Sequence, residues 1–165
     1  VPIPAEHGYP LRILNPGYHG VKQPGWVTSI ELIDMDVNDY WEDRNWDCSP
    51  PMAADTHFFF PQQSARVTTG EPLLVGGAAF GGTRIETVEI SIDDGGTWLE
   101  AEIIEQMDLD DVWVFWQVEI EPDVPGELEI VSRATDQYGQ TQPEADPDRY
   151  DGNNERPSIT VVVKD

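Results

Sequence analysis

An all-β fold is predicted by three features of this 165-residue sequence. The first is the alternation of apolar and polar residues within RIETVEISIDDGGTW, residues 84–98, where Val88, Ile90 and Ile92 share one side of an extended strand. The second is the Asp-Gly turn that follows this strand, because glycine adopts positive φ without steric cost and permits a tight hairpin. The third is the recurrence of short apolar runs between turn residues, with no long amphipathic helix.

Residues 1–55 are predicted to be an extended N-terminal segment that ends in a linker. Apolar runs at 11–14 and 26–32 predict two extended strands, and Asn-Pro-Gly and Gln-Pro-Gly turn sequences lie between them. The aromatic stretch at 40–46 predicts one helical turn, which the following Ser-Pro-Pro ends. The character of the sequence then changes, so we divide the chain into residues 1–55 and residues 56–165.

Residues 56–165 carry the strand pattern to the end of the chain. Seven strands are predicted, at 64–68, 73–80, 85–92, 98–104, 112–120, 127–135 and 158–163. Seven short strands separated by turn signals are typical of an immunoglobulin-like antiparallel β-sandwich, for which about 100 residues is usual. Cys48 is the sole cysteine, so this sandwich is expected to lack the inter-sheet disulfide of antibody domains.

The charge of the chain excludes several classes of partner. Its 32 Asp and Glu residues against 9 Lys and Arg give a formal net charge of −23. Such a surface repels nucleic acid and anionic lipid, and no run of about 18 apolar residues predicts a membrane span. The acidic residues are spread along a chain rich in aromatic residues, which indicates a folded protein with a solvated, halophile-like surface.

Two motifs are better explained as turns than as sites. Residues 34–38 imitate the start of a calcium loop, but Asp39 stands where that loop requires glycine. Residues 91–98 spell a single Asp-box, and we interpret Asp93 as bonding back to the turn of a hairpin. The three histidines lack zinc-ligand spacing, and no nucleophile or carboxylate pair stands out. The sequence therefore predicts no catalytic residue and no metal ligand.

Two places combine a rigid turn with a cation in this acidic chain. His7 and Arg12 flank Gly8 and Pro10 and supply two possible donors for a phosphate, with a packed histidine and a surface arginine as the alternative. Arg84 follows a Gly-Gly turn, and a guanidinium matches an oxyanion in a bidentate way. An ordinary salt bridge is an equal alternative for Arg84.

A family resemblance rests on these same stretches. HGYPLRILNPGYHG at residues 7–20, followed by WVTSI at 26–30, resembles the end of the molybdopterin-binding domain of the sulfite oxidase and eukaryotic nitrate reductase family. GGTR, VEISIDDGGTW and ELEIVSRATD, between residues 81 and 136, resemble the C-terminal immunoglobulin-like dimerisation domain of that family. The motifs keep the family's order over nearly the whole chain.

The resemblance implies roles for particular residues. His7 and Arg12 match the family's His and Arg that bind the pterin and its phosphate. The family's lysine before the tryptophan of the second motif is missing, and Lys22 is the candidate to replace it. Arg84 matches an arginine that approaches the oxyanion pocket. The cysteine that binds molybdenum lies in an upstream domain of the family, so Cys48 is not given that role.

The resemblance also implies a function. The chain is expected to be the C-terminal portion of a molybdenum-cofactor oxidoreductase that converts sulfite to sulfate or, as a second choice, nitrate to nitrite. It is expected to pair as a homodimer through Trp113, Phe115 and Trp116, to need an upstream molybdopterin domain, and to be inactive alone. The alternatives are a free-standing immunoglobulin-like module that binds carbohydrate or protein, and a small enzyme in its own right.

Overall fold

The computed structural model describes residues 2–46, 52–105, 109–110, 112–146 and 152–165. The chain divides into two compact units. The first comprises Val1–Met52 and Pro147–Asn153, and the second comprises Ala53–Asp146 and Asn154–Asp165. The chain thus leaves the second unit after Asp146 and returns at Asn154 to complete it. The domain boundary that we place after residue 55 stays a prediction.

The first unit contains short helical turns rather than strands among its described residues. Three 3-10 turns are present, at Ala5–His7, Gly20–Lys22 and Glu42–Arg44. The last confirms the helical turn predicted at 40–46. One backbone bond joins the runs at 11–14 and 26–32, from the Val27 N–H to the Leu11 carbonyl at 3.0 Å. A second joins the first run to the Gln-Pro-Gly turn, from the Ile13 N–H to the Pro24 carbonyl at 2.9 Å. The predicted strands do not form a ladder among the described residues. Pro10, Pro16 and Pro24 flank the two runs, and proline donates no backbone hydrogen bond.

The described residues of the second unit form nine β-strands. These are β1 Asp55–Phe60, β2 Arg66–Thr68, β3 Leu73–Phe80, β4 Ile85–Ser91, β5 Leu99–Glu100, β6 Glu102–Glu105, β7 Val114–Ile120, β8 Gly126–Asp136 and β9 Ser158–Lys164. One sheet has the order β1-β3-β7-β6 and the other the order β2-β9-β8-β4-β5. Two facing sheets with this content confirm the predicted immunoglobulin-like sandwich.

Three details differ from the predicted strands. β1 was not predicted, and β2 pairs with β9 in parallel whereas every other strand pair is antiparallel. The strand predicted at 98–104 is divided into β5 and β6, which lie in different sheets. The division occurs at Ala101, which is buried and donates its N–H to the Val88 carbonyl at 2.8 Å. A small side chain at this point lets the chain pass from one sheet to the other.

The core lies between the two sheets and is centred on Trp116. Its indole is fully buried and packs edge to face on Phe58, with ring centroids 5.7 Å apart. This position corrects our prediction that Trp116 belongs to a subunit interface. Successive side chains of a strand point to opposite faces, so Val114 and Trp116 enter the core while Phe115 points outward.

A buried polar cluster joins the two sheets at one end of the core. The Thr56 hydroxyl of β1 lies 2.9 Å from the Ser132 hydroxyl of β8 and donates to Gln142 Oε1 at 3.1 Å. Gln142 Oε1 also accepts the Ala134 N–H at 3.3 Å, and its Nε2 donates to Asp55 Oδ1 at 2.8 Å. Each of these buried groups is hydrogen-bonded, as burial of polar atoms requires.

Candidate functional site

A cleft in the first unit brings together two of the residues that the sequence singles out. It has a volume of about 400 Å³. Its walls are formed by Glu6, His7, Gly8, Arg12, Gly20, Val21, Gln23, Pro24, Gly25, Trp26 and Trp41. His7 and Arg12 therefore face the same space, as expected of two groups that bind one ligand. Both side chains are exposed.

Two glycines let the walls of the cleft approach each other. Gly8 is buried with φ at +108°, and a Cβ on it would lie 3.0 Å from the Cα of Gly25. A Cβ on Gly25 would lie 2.9 Å from the Cα of Gly8. Real Cβ atoms essentially never come within 3.0 Å of another atom, so position 25 requires glycine. At position 8 the contact is tight and the positive φ also favours glycine. The sequence therefore joins the His7 turn to the Gln-Pro-Gly turn by direct backbone contact.

Trp26 is fixed in the wall by two hydrogen bonds. Its backbone has φ at +57°, a left-handed conformation that is uncommon for a bulky residue. Its N–H donates to the Gly8 carbonyl at 3.0 Å, and its indole Nε1 donates to the Ala5 carbonyl at 2.7 Å. These bonds hold the indole against the cleft, although the left-handed backbone conformation of Trp26 costs of order 1–3 kcal/mol.

Lys22 is engaged by two carboxylates and does not line the cleft. Its ammonium donates to Glu42 at 2.6 Å and to Asp39 at 3.2 Å. The hydrogen bond with Glu42 raises the pKa of Lys22, and the same bond lowers the pKa of Glu42. To reach a ligand in the cleft, Lys22 must leave these partners, so its predicted cofactor contact stays a prediction.

A capping box positions Trp41, a wall residue that the sequence analysis did not select. Asp39 Oδ1 accepts the N–H groups of Trp41 at 2.7 Å and Glu42 at 3.0 Å, while Glu42 accepts the Asp39 N–H at 2.8 Å. The N–H of Glu42 is the main cause that lowers the pKa of Asp39. The sequence Asp-Tyr-Trp-Glu has the spacing of a capping box and was the signal available for this turn.

The chemistry of the cleft suits an anionic group attached to a planar ring. Arg12 offers a guanidinium fork, and His7 offers a second donor. Trp26 and Trp41 provide flat apolar walls. A pterin that carries a phosphate has both properties, so the residues present fit that class of cofactor.

Metal ligands are a separate question from this cleft. Among the residues that the structure describes, no group of three or more His, Cys, Asp or Glu side chains is arranged to hold a metal ion. Cys48, which the sequence analysis excluded as a molybdenum ligand, lies outside the described residues. Within the described part of the chain, no helix is both long and apolar enough to span a membrane.

Arg84 belongs to the second unit, in the turn between β3 and β4. Its carbonyl accepts the Gln137 N–H at 2.9 Å. The neighbouring Thr83 hydroxyl donates to Asp136 Oδ2 at 3.0 Å. This turn is therefore anchored to the end of β8, and the predicted oxyanion contact of Arg84 stays a prediction.

The Asp-box is a hairpin turn, which confirms the structural interpretation of Asp93. The Asp93 carboxylate accepts hydrogen bonds from the Thr97 N–H and the Thr97 hydroxyl, each at 2.8 Å, and from the Ser91 hydroxyl at 2.7 Å. The Thr97 N–H is the main cause that lowers the pKa of Asp93. These three bonds all join residues within one turn, so this carboxylate shapes the hairpin.

Comparisons with known proteins match both units. Residues 51–152 match the family model of the Mo-co oxidoreductase dimerisation domain, and residues 1–41 match that of the oxidoreductase molybdopterin binding domain. Mitochondrial sulfite oxidase of Mus musculus is 29% identical over 165 residues, covering 87% of this chain and 30% of the relative. Sulfite oxidase of Arabidopsis thaliana is 31% identical over 170 residues, covering 84% of this chain and 42% of the relative.

A solved structure is also similar to this chain over most of its length. The sulfane dehydrogenase SoxCD of Paracoccus pantotrophus superposes with a TM-score of 0.78 at 27% identity, covering 95% of this chain and 45% of that one. The chain thus spans less than half the length of each of these relatives. With the dimerisation-domain match extending over most of its length, the chain belongs to the Mo-co oxidoreductase dimerisation domain family.

Proposed function

We propose that this chain is the C-terminal portion of a molybdenum-cofactor oxidoreductase of sulfite oxidase type. The observation that carries the proposal is the succession of two family matches, molybdopterin binding at residues 1–41 and dimerisation at 51–152. The sandwich supplies subunit pairing, and the cleft of the first unit supplies part of the pterin site. The parent reaction is oxidation of sulfite to sulfate, with reduction of nitrate as the second choice.

His7 and Arg12 are the proposed contacts of the pterin phosphate. The Arg12 guanidinium presents paired N–H donors, and His7 donates from the opposite end of the same turn. Trp26 and Trp41 orient a planar ring and exclude water from it. When bound, the molybdenum cofactor supplies two-electron oxygen-atom transfer. Lys22 is a third proposed contact, and Arg84 is a proposed contact of the oxyanion substrate.

The packing of the first unit supports a larger molybdopterin domain as its partner. Gly8 is the one buried residue among the described residues 2–46. Leu32 is 97% exposed, and Ile30, Met35 and Val37 are exposed beside it. Residues 28–38 make no backbone–backbone hydrogen bond with other described residues. An extended apolar segment with unpaired backbone groups has the properties of a strand that joins a sheet of another polypeptide region.

The alternative of a free-standing binding module is less well supported. It gives no role to the cleft of His7 and Arg12, and it does not account for the molybdopterin-binding match over residues 1–41. Binding of a glycan by the chain without self-association would favour this alternative. The third possibility, an independent small enzyme, has no group of three or more possible metal ligands in its favour among the described residues.

The proposal is tested by expressing the chain in a host that synthesises the molybdenum cofactor. The purified chain is expected to contain far less than one molybdenum atom per copy and to give no sulfite-dependent reduction of ferricyanide. Sedimentation in high salt at micromolar concentration is expected to give a dimer. Stoichiometric molybdenum with sulfite turnover would overturn the conclusion that the chain is inactive alone, and a monomer would overturn subunit pairing.

A further inference from the structure

Two short turns of the first unit line the cleft from distant parts of the sequence. The turn at Gly20–Lys22 contributes Gly20 and Val21, and Trp41 is the N-cap residue of the turn at Glu42–Arg44. Among the described residues, no backbone–backbone hydrogen bond joins these two turns. The hydrogen bonds between them are therefore made by side chains.

Lys22 makes these bonds. Its ammonium donates to Glu42 Oε1 at 2.6 Å and to Asp39 Oδ2 at 3.2 Å, across 20 and 17 residues of sequence. The other oxygen of each carboxylate serves the capping box, because Asp39 Oδ1 accepts the Trp41 N–H and Glu42 Oε2 accepts the Asp39 N–H. Each carboxylate thus joins Lys22 to the backbone around Trp41.

The charge of the chain explains why a cation is needed at this turn. Asp39 and Glu42 lie three residues apart, a spacing at which like charges on a helical turn repel each other. An isolated ion pair at a surface contributes little, because ordering two long side chains costs entropy. Here the capping box already orders both carboxylates, so this cost falls chiefly on Lys22.

We infer that Lys22 is a positioning residue of the cleft, which holds the turn that presents Trp41 to the ring of the ligand. The inference rests on the proposed function and gives Lys22 an indirect role in place of direct contact with the pterin phosphate. Geometry favours the indirect role, because Lys22 does not line the cleft and its ammonium already has two carboxylate partners. A direct contact would require both ion pairs to break.

The first test measures the exposure of Trp41 in the full chain by hydroxyl-radical footprinting, without any ligand. Trp41 is 40% exposed, so loss of the ion pairs in Lys22→Met is expected to raise its oxidation rate about twofold. Trp26 is an internal control, because its bonds to the carbonyls of Ala5 and Gly8 do not involve Lys22. An unchanged oxidation rate of Trp26 shows that the first unit stays folded.

Three further variants isolate the ion pairs. Lys164→Met removes the other lysine of the chain, at an exposed position in the second unit, and is expected to leave the oxidation rate of Trp41 unchanged. Lys22→Arg keeps a cation for the two carboxylates and is expected to keep the rate of the unsubstituted chain. Glu42→Gln keeps an acceptor for the capping box without its charge, and it is expected to act like Lys22→Met.

Salt distinguishes an ion pair from simple packing of the Lys22 side chain. In molar potassium chloride, where the Debye length is about 3 Å, the oxidation rate of Trp41 in the unsubstituted chain is expected to rise toward that of Lys22→Met. Lys22→Met itself is expected to show no further rise. An equal response of both proteins to salt would contradict the ion-pair basis of this positioning.

The second test compares two soluble pterins that differ only by a phosphate. The probes are hydroxymethylpterin and its phosphate ester, and the fluorescence of the pterin ring reports binding. If Lys22 acts through Trp41, Lys22→Met is expected to weaken binding of both probes by the same factor, about threefold. Arg12→Met is the comparison, because loss of a phosphate contact is expected to weaken binding of the ester alone.

The outcomes separate this inference from the proposed function. An unchanged oxidation rate of Trp41 in Lys22→Met would overturn the positioning role. Weaker binding of the phosphate ester alone by Lys22→Met would also overturn it, in favour of direct contact. Failure of both probes to bind the unsubstituted chain would count against the pterin cleft of the proposed function. Footprinting, which needs no ligand, would then still decide whether Lys22 holds Trp41.

Discussion

Asp55 shows how a single partly buried carboxylate affects the stability of this fold. Its Oδ1 accepts the Thr56 N–H at 2.7 Å and Gln142 Nε2 at 2.8 Å. Burial nevertheless outweighs these bonds and raises the pKa of Asp55. The folded state therefore binds this proton more tightly than the unfolded chain does. As pH rises above the unfolded value of about 3.9, ionisation of Asp55 disfavours the folded state.

Replacing Asp55 by Asn is expected to stabilise the sandwich at pH 7. The amide oxygen can accept the same two hydrogen bonds without the cost of burying a charge. The gain in the free energy of unfolding is expected to vanish below about pH 3.5, where Asp55 is protonated in both states. Urea unfolding of the unsubstituted chain and of Asp55→Asn between pH 3 and pH 7 measures this gain. Asp123→Asn removes an exposed charge and controls for the change in net charge. A loss of stability at pH 7 would contradict the expectation.

Asp93 is expected to show the opposite pH dependence. Hydrogen bonds, first of all from the Thr97 N–H, lower its folded pKa, so the carboxylate stabilises the turn above the unfolded pKa. Asp93→Ala is therefore expected to lower the melting temperature at pH 7. This difference should shrink as pH falls through the lowered folded pKa. Thermal unfolding from pH 7 to pH 2 provides the measurement, and Asp123→Ala is the matched control. A decrease in melting temperature of equal size at every pH would contradict this expectation, because the charge of Asp93 would then not contribute to the stability of the turn.

At the scale of elements, the sequence predicts strands well where one face is buried and the other is solvated. β4 was predicted because Val88 and Ile90 alternate with polar residues and enter the core. β1 was missed because Phe58, Phe59 and Phe60 break the alternation, and a bulge between Phe58 and Phe60 accounts for this irregularity. The passage of the chain from one sheet to the other at Ala101 produces no periodic pattern in the sequence, because it depends on contacts between residues that are far apart in the chain.

The candidate site was predicted less completely than the fold. His7 and Arg12 were selected from a turn motif and a resemblance, and both line the cleft. Trp41 was missed because its position depends on the capping box of Asp39 and Glu42 rather than on a binding motif. Local turn chemistry can be found in a sequence, but the meeting of the two turns at Gly8 requires the three-dimensional structure.

Gly77 of β3 is expected to be essential for pairing of β1 with β3. A Cβ at this position would collide with the carbonyl oxygen of His57, and backbone atoms cannot yield as a flexible side chain can. Gly77→Ala is therefore expected to destabilise the sandwich by about 3 kcal/mol or more, at the upper end of overpacking effects. Gly20→Ala, where a Cβ meets open space, is the matched control. Denaturant unfolding of both variants measures the difference, and equal stabilities would contradict the close approach.

Across the whole molecule, the two units differ in how much apolar surface they bury. The sandwich surrounds Trp116 with a continuous apolar core, whereas the described residues 2–46 bury Gly8 alone. Burial of apolar surface is the dominant favourable term in folding. The sandwich therefore supplies most of the stability of this chain, and global unfolding measurements report chiefly on that unit.

The net charge of −23 predicts that salt stabilises this sandwich. Self-repulsion among the carboxylates favours expanded states, and a Debye length of roughly 2 Å in 2–3 M potassium chloride removes most of it. The melting temperature is therefore expected to rise by several degrees from dilute buffer to that salt. Sucrose strengthens burial without screening charge and is the control. A rise that depends on protein concentration would report pairing of copies, because association stabilises the folded state by mass action. A melting temperature no higher in molar salt at any concentration would show that the acidic surface exerts no net repulsion on this fold.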